Sequence, residues 1–331
     1  MPNAKISGIA SYVPDDILDN EMLSKMVDTN DEWITTRVGI KERRILKDAD
    51  KGSSYLGIKA VEKLLEDTGT SKEDIDLLIC ATSNPDYRFP STASVIAYGT
   101  GLTNAYAYDV QAACAGFLVT MQDARGYIES GLYKKIIVVA AEKMSSMTDY
   151  EDRATCPLFG DAAAAVLVEP TDEPVGVVDG EFHVDGSGLH NLLMKAGGSA
   201  KPASHETVDA REHYIYQEGR VVYKNAVRDM LGSSQSVMAR NNLSVDDIDW
   251  FVPHQANLRI IEAVGGRIKI PEEKTLVNIQ HYGNTSAASI PLCLDEYKNR
   301  LKKGDKIVMT AFGAGFTWGA MYLIWAIDPK E

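Results

Sequence analysis

Apolar positions along the chain follow two periods. Short, largely apolar runs at 77–80, 106–110 and 136–140 read as buried strands. Between them the spacing changes to that of a helix. Leu56, Ala60, Val61, Leu64 and Leu65 form one stripe, and Phe117, Met121, Ala124 and Ile128 form another. Strands alternating with amphipathic helices predict an α/β protein with a largely parallel sheet.

The pattern also repeats. Ser71-Lys-Glu-Asp-Ile-Asp76 enters the run at 77–80, and Ser244-Val-Asp-Asp-Ile-Asp249 enters Trp250-Phe-Val-Pro253. Lys135-Ile-Ile-Val-Val139 is echoed by Lys306-Ile-Val-Met-Thr310. Both matches fall about 170 residues apart, the size of one ordinary domain. Duplication is the simplest reading, with halves at 1–172 and 173–331. Equivalent loops would then meet across a pseudo-twofold axis. The chemistry is expected there, at the carboxyl ends of strands. A polar, turn-rich stretch over 185–204 is expected to join the halves or lie over the pocket.

Composition narrows the classes. With 331 residues, 45% hydrophobic and 24% charged, the chain is ordinary globular material. A net charge of -13 without a basic run argues against nucleic-acid binding. The N-terminus does not read as a signal peptide and no apolar run is long enough for a membrane span, so a soluble, cytoplasmic protein is expected. Cys80, Cys114, Cys156 and Cys293 form no C-x-x-C pair. Free thiols are expected, without a metal or dithiol site.

Cys114 stands apart from the other three. A strand precedes it, Ala112, Ala113, Ala115 and Gly116 surround it, and a helix follows. A sulfur at a helix N-terminus is drawn toward thiolate, and small neighbours leave room for a substrate. A core cysteine in a tight turn fits the same residues. His254 ends a strand with Gln255 and Asn257 beside it, two groups able to orient a ring or a substrate. Asn284, in YGNTSAAS, reads equally as a helix cap or as a cleft donor, with Thr285 or Ser286 free to cap in its place. Phe312-Gly-Ala-Gly315 reads as a turn or as backbone N–H groups aimed at an oxyanion.

Four segments in this order resemble the thiolase-superfamily β-ketoacyl-acyl-carrier-protein synthase III family. They are TNDEWITTRVGI at 29–40 with ERRI at 42–45, YDVQAACAGF at 108–117, PHQANLRII at 253–261, and HYGNTSAASIP at 281–291 followed by FGAGFTWG at 312–319. The resemblance implies a five-layer αβαβα thiolase fold, a homodimer, and a catalytic set of Cys114, His254 and Asn284. It implies acyl transfer from acyl-CoA to Cys114, then decarboxylating condensation with a malonyl thioester on acyl carrier protein. Backbone N–H groups of Cys114 and the Ala314 region would hold the oxyanion, and no cofactor or metal would be needed.

By the same resemblance Trp33 and Arg153 sandwich the CoA adenine, and Thr29, Arg37 and Asn257 make further CoA contacts. Without it, Trp33 packs a helix hinge and Arg153 pairs with Glu151 or Asp152. Phe89 matches a residue that reaches into the partner's acyl pocket, and Phe312 borders that pocket. Lys224, Arg259 and Arg267 match a face that receives the acidic carrier, although alone they read as solvated surface. The chain departs from the family pattern at FGDAAA, 159–164, and at Ala314, where glycines are common. Each added methyl is expected to narrow the pocket or shift the backbone near the acyl chain. Priming of a polyketide, a non-catalytic acyl-binding protein and a cysteine hydrolase are the rival readings.

Overall fold

Two stacked sheets account for the two periods in the sequence. The computed structural model describes residues 2–329. Met1, Lys330 and Glu331, the outermost positions of the expected halves, lie outside the described residues. The first sheet contains β1 (Asn3–Tyr12), β2 (Leu77–Ala81), β3 (Tyr106–Val110), β4 (Ile136–Glu142) and β5 (Ala162–Thr171), in the order β1-β5-β4-β2-β3. Strand β2 runs parallel to β3 and β4, while β5 runs antiparallel to β4 and β1.

The second sheet contains β6 (Gly176–Val184), β7 (Trp250–Pro253), β8 (Lys306–Gly313) and β9 (Thr317–Ile324), in the order β7-β8-β9-β6. Strands β7 and β8 are parallel and β9 is antiparallel to both neighbours. Position for position this is the order of the first sheet. An isolated parallel bridge between Phe251 and Thr275 stands where β3 would be. The echoed sequence pairs open equivalent strands, β2 with β7 and β4 with β8.

Alternate residues of the buried strands serve different layers. Leu77 and Ile79 of β2 face inward and pack with Phe117, Leu118 and Met121 of α4 (Gly116–Ser130). The same cluster takes Ile290, Cys293 and Leu294 of α7 (Ser289–Tyr297) and Val252, Ile307 and Met309 of the second sheet. Helices α4 and α7 are therefore the middle layer. Leu78 and Cys80 face outward, onto α2 (Ser53–Thr68) and α3 (Thr92–Thr100). On the far side α5 (Gly219–Arg240) and α6 (Leu258–Ile268) cover Phe251 and Val308. The result is five layers, α–β–α–β–α, the thiolase fold.

One expectation changes, and one pair of alternatives is decided. The run 106–110 is not buried: β3 has one neighbour and is an edge strand, with Tyr106 61% exposed beside Tyr98 at 91%. The turn-rich stretch 185–204 does not join the sheets, since β5 passes to β6 through 172–175. That stretch lies over the cavity instead, lining it with Leu189, Leu192, Met194 and Gly197.

Candidate active site

The middle layer brings the halves' strand ends together. The segments that lead into helices α4 and α7 carry Cys114 and Asn284. Cys114 sits in a 3-10 turn, Ala113–Ala115, after β3. Its neighbour Ala113 adopts a left-handed conformation (φ 47). Gly313, at the end of β8, abuts this turn. A Cβ at 313 would lie 2.6 Å from the Cys114 amide nitrogen and 2.9 Å from Ala113 Cβ, so only glycine fits.

Cys114, His254, Asn284, Phe312 and Ala314 all line one cavity of about 1200 Å³. The front half supplies the sulfur, and the rear half supplies the ring and the amide. His254 follows β7, is buried, and donates its backbone N–H to Thr310 O at 2.8 Å. Its Nδ1 lies 2.7 Å from Ser289 Oγ. That hydroxyl accepts the Gln255 N–H at 3.3 Å, and His254 Nδ1 is its one hydrogen-bond acceptor among the described residues. Ser289 therefore donates to Nδ1, which puts the ring proton on Nε2. Nε2 is buried and has no protein partner. Burial also pulls the ring down to about 3, so His254 is neutral at working pH. The site thus presents an unpaired N–H donor.

Asn284 lines the cavity and also accepts a backbone N–H in its own turn. Its Oδ1 accepts the Ser286 N–H at 2.8 Å, while its backbone is fixed by Asn284 N to Leu158 O at 2.8 Å and Gly160 N to Asn284 O at 3.1 Å. With Oδ1 committed, the amide NH₂ is the group left for the cavity. Neither Thr285 nor Ser286 caps by side chain. Burial pushes the Cys114 thiol up to about 12, with the Ser286 hydroxyl pulling the other way. The helix N-terminus favours thiolate as the sequence suggests, yet burial is the larger effect and the resting group is a thiol. The other cysteines are buried and free, as expected.

At the cavity mouth Trp33 and Arg37 lie on α1 (Asp31–Val38), and both line the opening. Arg153 Cζ stands 5.1 Å from the Trp33 ring centre and Arg37 Cζ stands 5.5 Å from it. Arg153 pairs with Asp28 at 3.2 Å rather than with Glu151 or Asp152, and Glu151 instead meets Arg211 at 3.1 Å. Thr29 carries a buried hydroxyl with no partner. Asn257 caps α6, accepting the Arg259 N–H at 2.9 Å, and both residues border the mouth. Gln255 is spent on Pro253 O at 2.7 Å and Leu276 O at 3.2 Å, so it shapes the turn and does not face substrate.

Other positions fall elsewhere. Phe89 is 86% exposed and does not line its own chain's cavity. Lys224, Arg259 and Arg267 are exposed on α5 and α6 and form no ion pair among the described residues. Of the two effects expected of the added methyls, narrowing of the pocket does not apply to Ala162 and Ala164, which do not line it. Both are buried against Ala287, Ala288 and Leu292, away from the cavity; of the three departures only Ala314 lines it. Among the described residues no group of three or more His, Cys, Asp or Glu stands close enough to hold a metal ion.

Sequence reasoning missed Ser289, whose hydroxyl sets the histidine. It also passed over the job of Arg43. This buried guanidinium, pulled down to about 10 by its burial, donates to Pro157 O at 3.0 Å and Asn20 Oδ1 at 2.6 Å. It so braces the segment whose Leu158 O receives Asn284 N.

Five layers with Cys114, His254 and Asn284 lining one cavity fit a thiolase-fold condensing enzyme. Models of the 3-oxoacyl-[acyl-carrier-protein] synthase III family match residues 108–186, and of its C-terminal region residues 238–325. The β-ketoacyl-[acyl-carrier-protein] synthase III of Porphyromonas gingivalis is 58% identical over 326 residues, covering 98% of this chain and 97% of the relative. The solved 3-oxoacyl-[acyl-carrier-protein] synthase III of Aquifex aeolicus superposes with a TM-score of 0.90 at 41% identity, covering 97% of this chain and 100% of that one. A priming β-ketosynthase of the R1128 polyketide pathway gives 0.91 at 32% identity over 99% of this chain and 98% of that one. The chain belongs to the β-ketoacyl-acyl-carrier-protein synthase III family. It is an initiating ketosynthase, a condensing acyltransferase of fatty-acid synthesis, and the polyketide alternative is not favoured.

Proposed function

We propose that Cys114, His254 and Asn284 are the catalytic residues of this initiating condensation. An acyl-CoA thioester meets the Cys114 sulfur, an acyl-cysteine forms, and CoA leaves. A malonyl thioester on acyl carrier protein then loses CO₂. The enolate oxygen that develops is met by the His254 Nε2–H and the Asn284 amide. The carbanion attacks the acyl-cysteine, whose oxyanion sits against backbone N–H groups of Cys114 and Ala314, and 3-oxoacyl-carrier protein leaves. The observation that carries this reading is the buried, unpartnered Nε2 of a histidine whose Nδ1 lies against Ser289 Oγ, in the same cavity as the sulfur.

Trp33 and Arg153 would sandwich the CoA adenine, with Thr29, Arg37 and Asn257 along its path. Lys224, Arg259 and Arg267 would receive the acidic carrier, and their freedom from ion pairs supports that. A homodimer across the β3 edge is supported by the exposure of Phe89, Tyr98 and Tyr106, with Phe89 reaching the partner's acyl pocket beside Phe312. We also take the halves to divide at 172/173, and the matching strand orders support duplication. No helix among the described residues is long and apolar enough to cross a membrane. The unpaired cysteines suit a reducing cytoplasm.

The test is product analysis with a panel of acyl-CoAs and malonyl-carrier protein. Formation of 3-oxoacyl-carrier protein from a short acyl-CoA, dependent on the malonyl group, is expected. Failure with every short acyl-CoA, or release of free acid without malonyl dependence, would overturn the reading.

A further inference from the structure

The turn-rich stretch over the cavity continues to residue 217 and is braced as one piece. Leu192–Met194 pairs with Ile215–Gln217 as a two-stranded ribbon. The short helix His205–Asp209 opens on a capping box, with the Thr207 N–H donating to Ser204 Oγ at 3.2 Å. Thr207 Oγ1 also meets His213 Nε2 at 2.9 Å. Lys201 Nζ donates to Glu212 Oε1 at 2.6 Å, and the Gly197 N–H donates to Lys201 O at 2.8 Å. At the root of this flap Asp185 and Phe316 exchange backbone hydrogen bonds of 2.8 and 2.6 Å.

Later in the flap, Arg211 fastens it to the front half. Its Nε donates to Asp149 Oδ2 at 2.9 Å, its Nη2 donates to Asp149 Oδ1, and its Nη1 stands 3.1 Å from Glu151 Oε1. A fork on a carboxylate fixes direction as well as distance. Asp149 is itself held in a turn: its Oδ1 accepts the Glu151 N–H at 2.9 Å and its carbonyl accepts the Asp152 N–H at 3.0 Å. Arg211 adopts a left-handed conformation (φ 58), which costs a residue with a side chain, so the grip is made at a strained position.

The grip lies next to the apolar end of the cavity. Ala81 of β2 pairs with Val110 of β3 and Ala140 of β4, so the segments after these three strands share one end of the sheet. One carries Cys114 and another carries the 3-10 turn Met144–Met147, two residues before Asp149. Phe159 bridges to Asn284. Met144, Met147 and Phe159 form one buried cluster, and Ile215 of the flap packs against it. These four line the same cavity as the sulfur, whereas Arg211 and Asp149 do not line it.

We propose that the Arg211–Asp149 clamp sets the primer length of the condensation, by seating Ile215 against Met144 and Met147 and so closing the apolar end of the cavity to all but short acyl chains. This rests on Cys114 being the acyl acceptor. Arg211 and Asp149 are positioning residues, since they act through Ile215. A short chain on the sulfur leaves the Ile215 contact in place. A longer chain displaces it, by bending the pliable methionines or by lifting the flap against the clamp. The Arg211 side chain is 40% exposed and that of Asp149 14%, so the clamp is a graded filter and not an absolute one.

The test is the rate of Cys114 acylation by acetyl-CoA and by octanoyl-CoA, read by intact mass and expressed as the octanoyl-to-acetyl ratio. The native ratio should lie below one. Asp149→Asn and Arg211→Ala should each raise it about 5-fold, the worth of a half-exposed ion pair, with the acetyl rate near native. Any loosened grip on CoA, through the neighbouring Arg153, cancels in that ratio because both substrates carry the same CoA. Ile215→Ala should raise the ratio with the clamp intact. The charge-reversed pair, Arg211→Asp with Asp149→Arg, should return it toward native, which mere disturbance at two sites would not do. Arg211→Ala carries the test if Asp149→Asn does not fold. Octanoyl transfer as fast as acetyl transfer in the native enzyme, or a native ratio in both single variants, would overturn the clamp while leaving Cys114 as the acceptor. No adduct on native Cys114 with either thioester would sink the reading beneath it.

Discussion

Replacing Ser289 by alanine tests how the histidine is set. Its Oγ lies 2.7 Å from His254 Nδ1, and its hydroxyl fixes the ring proton on Nε2. In Ser289→Ala a buried Nδ1 is left without its donor, which costs about 1–3 kcal/mol. Of that, about 1–2 kcal/mol is lost preference for the Nε2–H tautomer, or roughly 5–30-fold in turnover at 1.36 kcal/mol per decade. Removing the donor altogether, in His254→Ala, should cost on the order of 100-fold or more. The loss should fall on one half-reaction. Acylation of Cys114 needs no enolate donor, so its rate stays native; malonyl decarboxylation and condensation slow. Rapid-quench measurement of each half-reaction with acetyl-CoA and malonyl-carrier protein separates them. Native decarboxylation in a folded Ser289→Ala enzyme, or an equal loss in both halves, would refute the tautomer argument.

Trp33→Ala should raise KM for acyl-CoA by roughly 5–30-fold, from about 1–2 kcal/mol of stacking, and leave kcat nearly unchanged. An adenine between Trp33 and Arg153 needs about 7 Å, two layers of about 3.5 Å, so Arg153 must lift from its 5.1 Å position and release Asp28. Asp28→Asn should therefore lower KM slightly, and both values follow from initial rates. Stability should fall in acid partly through His254. Its native value of about 3 is below the unfolded 6.5, so the unfolded chain binds the extra proton as pH drops through 6.5. At pH 5.5 that costs about 1.4 kcal/mol, and denaturant melts of His254→Gln should show that much less acid sensitivity. Glu142 works in the opposite sense. Its native value of about 7 exceeds its ordinary 4.5, so it weakens the fold as pH rises from 4.5 through 7, and Glu142→Gln should flatten that limb.

Most of the architecture was legible because it rests on local periods. Leu56, Ala60, Val61 and Leu64 are fully buried on α2, and the two echoed pairs mark equivalent strands. Cys114 and His254 stood out as polar groups at strand ends. The burial of β3 misread because an apolar run does not reveal whether a strand has one neighbour or two. The partner of Arg153 was missed because Asp28 is distant in sequence and meets it only after folding. Ala162 and Ala164 looked like pocket residues from their place in a motif, but strand alternation turns them toward α7 and its lead-in turn. Ser289 left no pattern to read, because its meaning lies in a contact with His254 that forms only on folding.

Intact-protein mass spectrometry after mixing with acetyl-CoA, followed by peptide mapping, tests the shared cleft most directly. One acyl group should appear, on the peptide containing Cys114, and should vanish on adding malonyl-carrier protein in the native enzyme but persist in His254→Ala and Asn284→Ala. An adduct on Cys80, Cys156 or Cys293, or one discharged equally well without His254 and Asn284, would contradict the account.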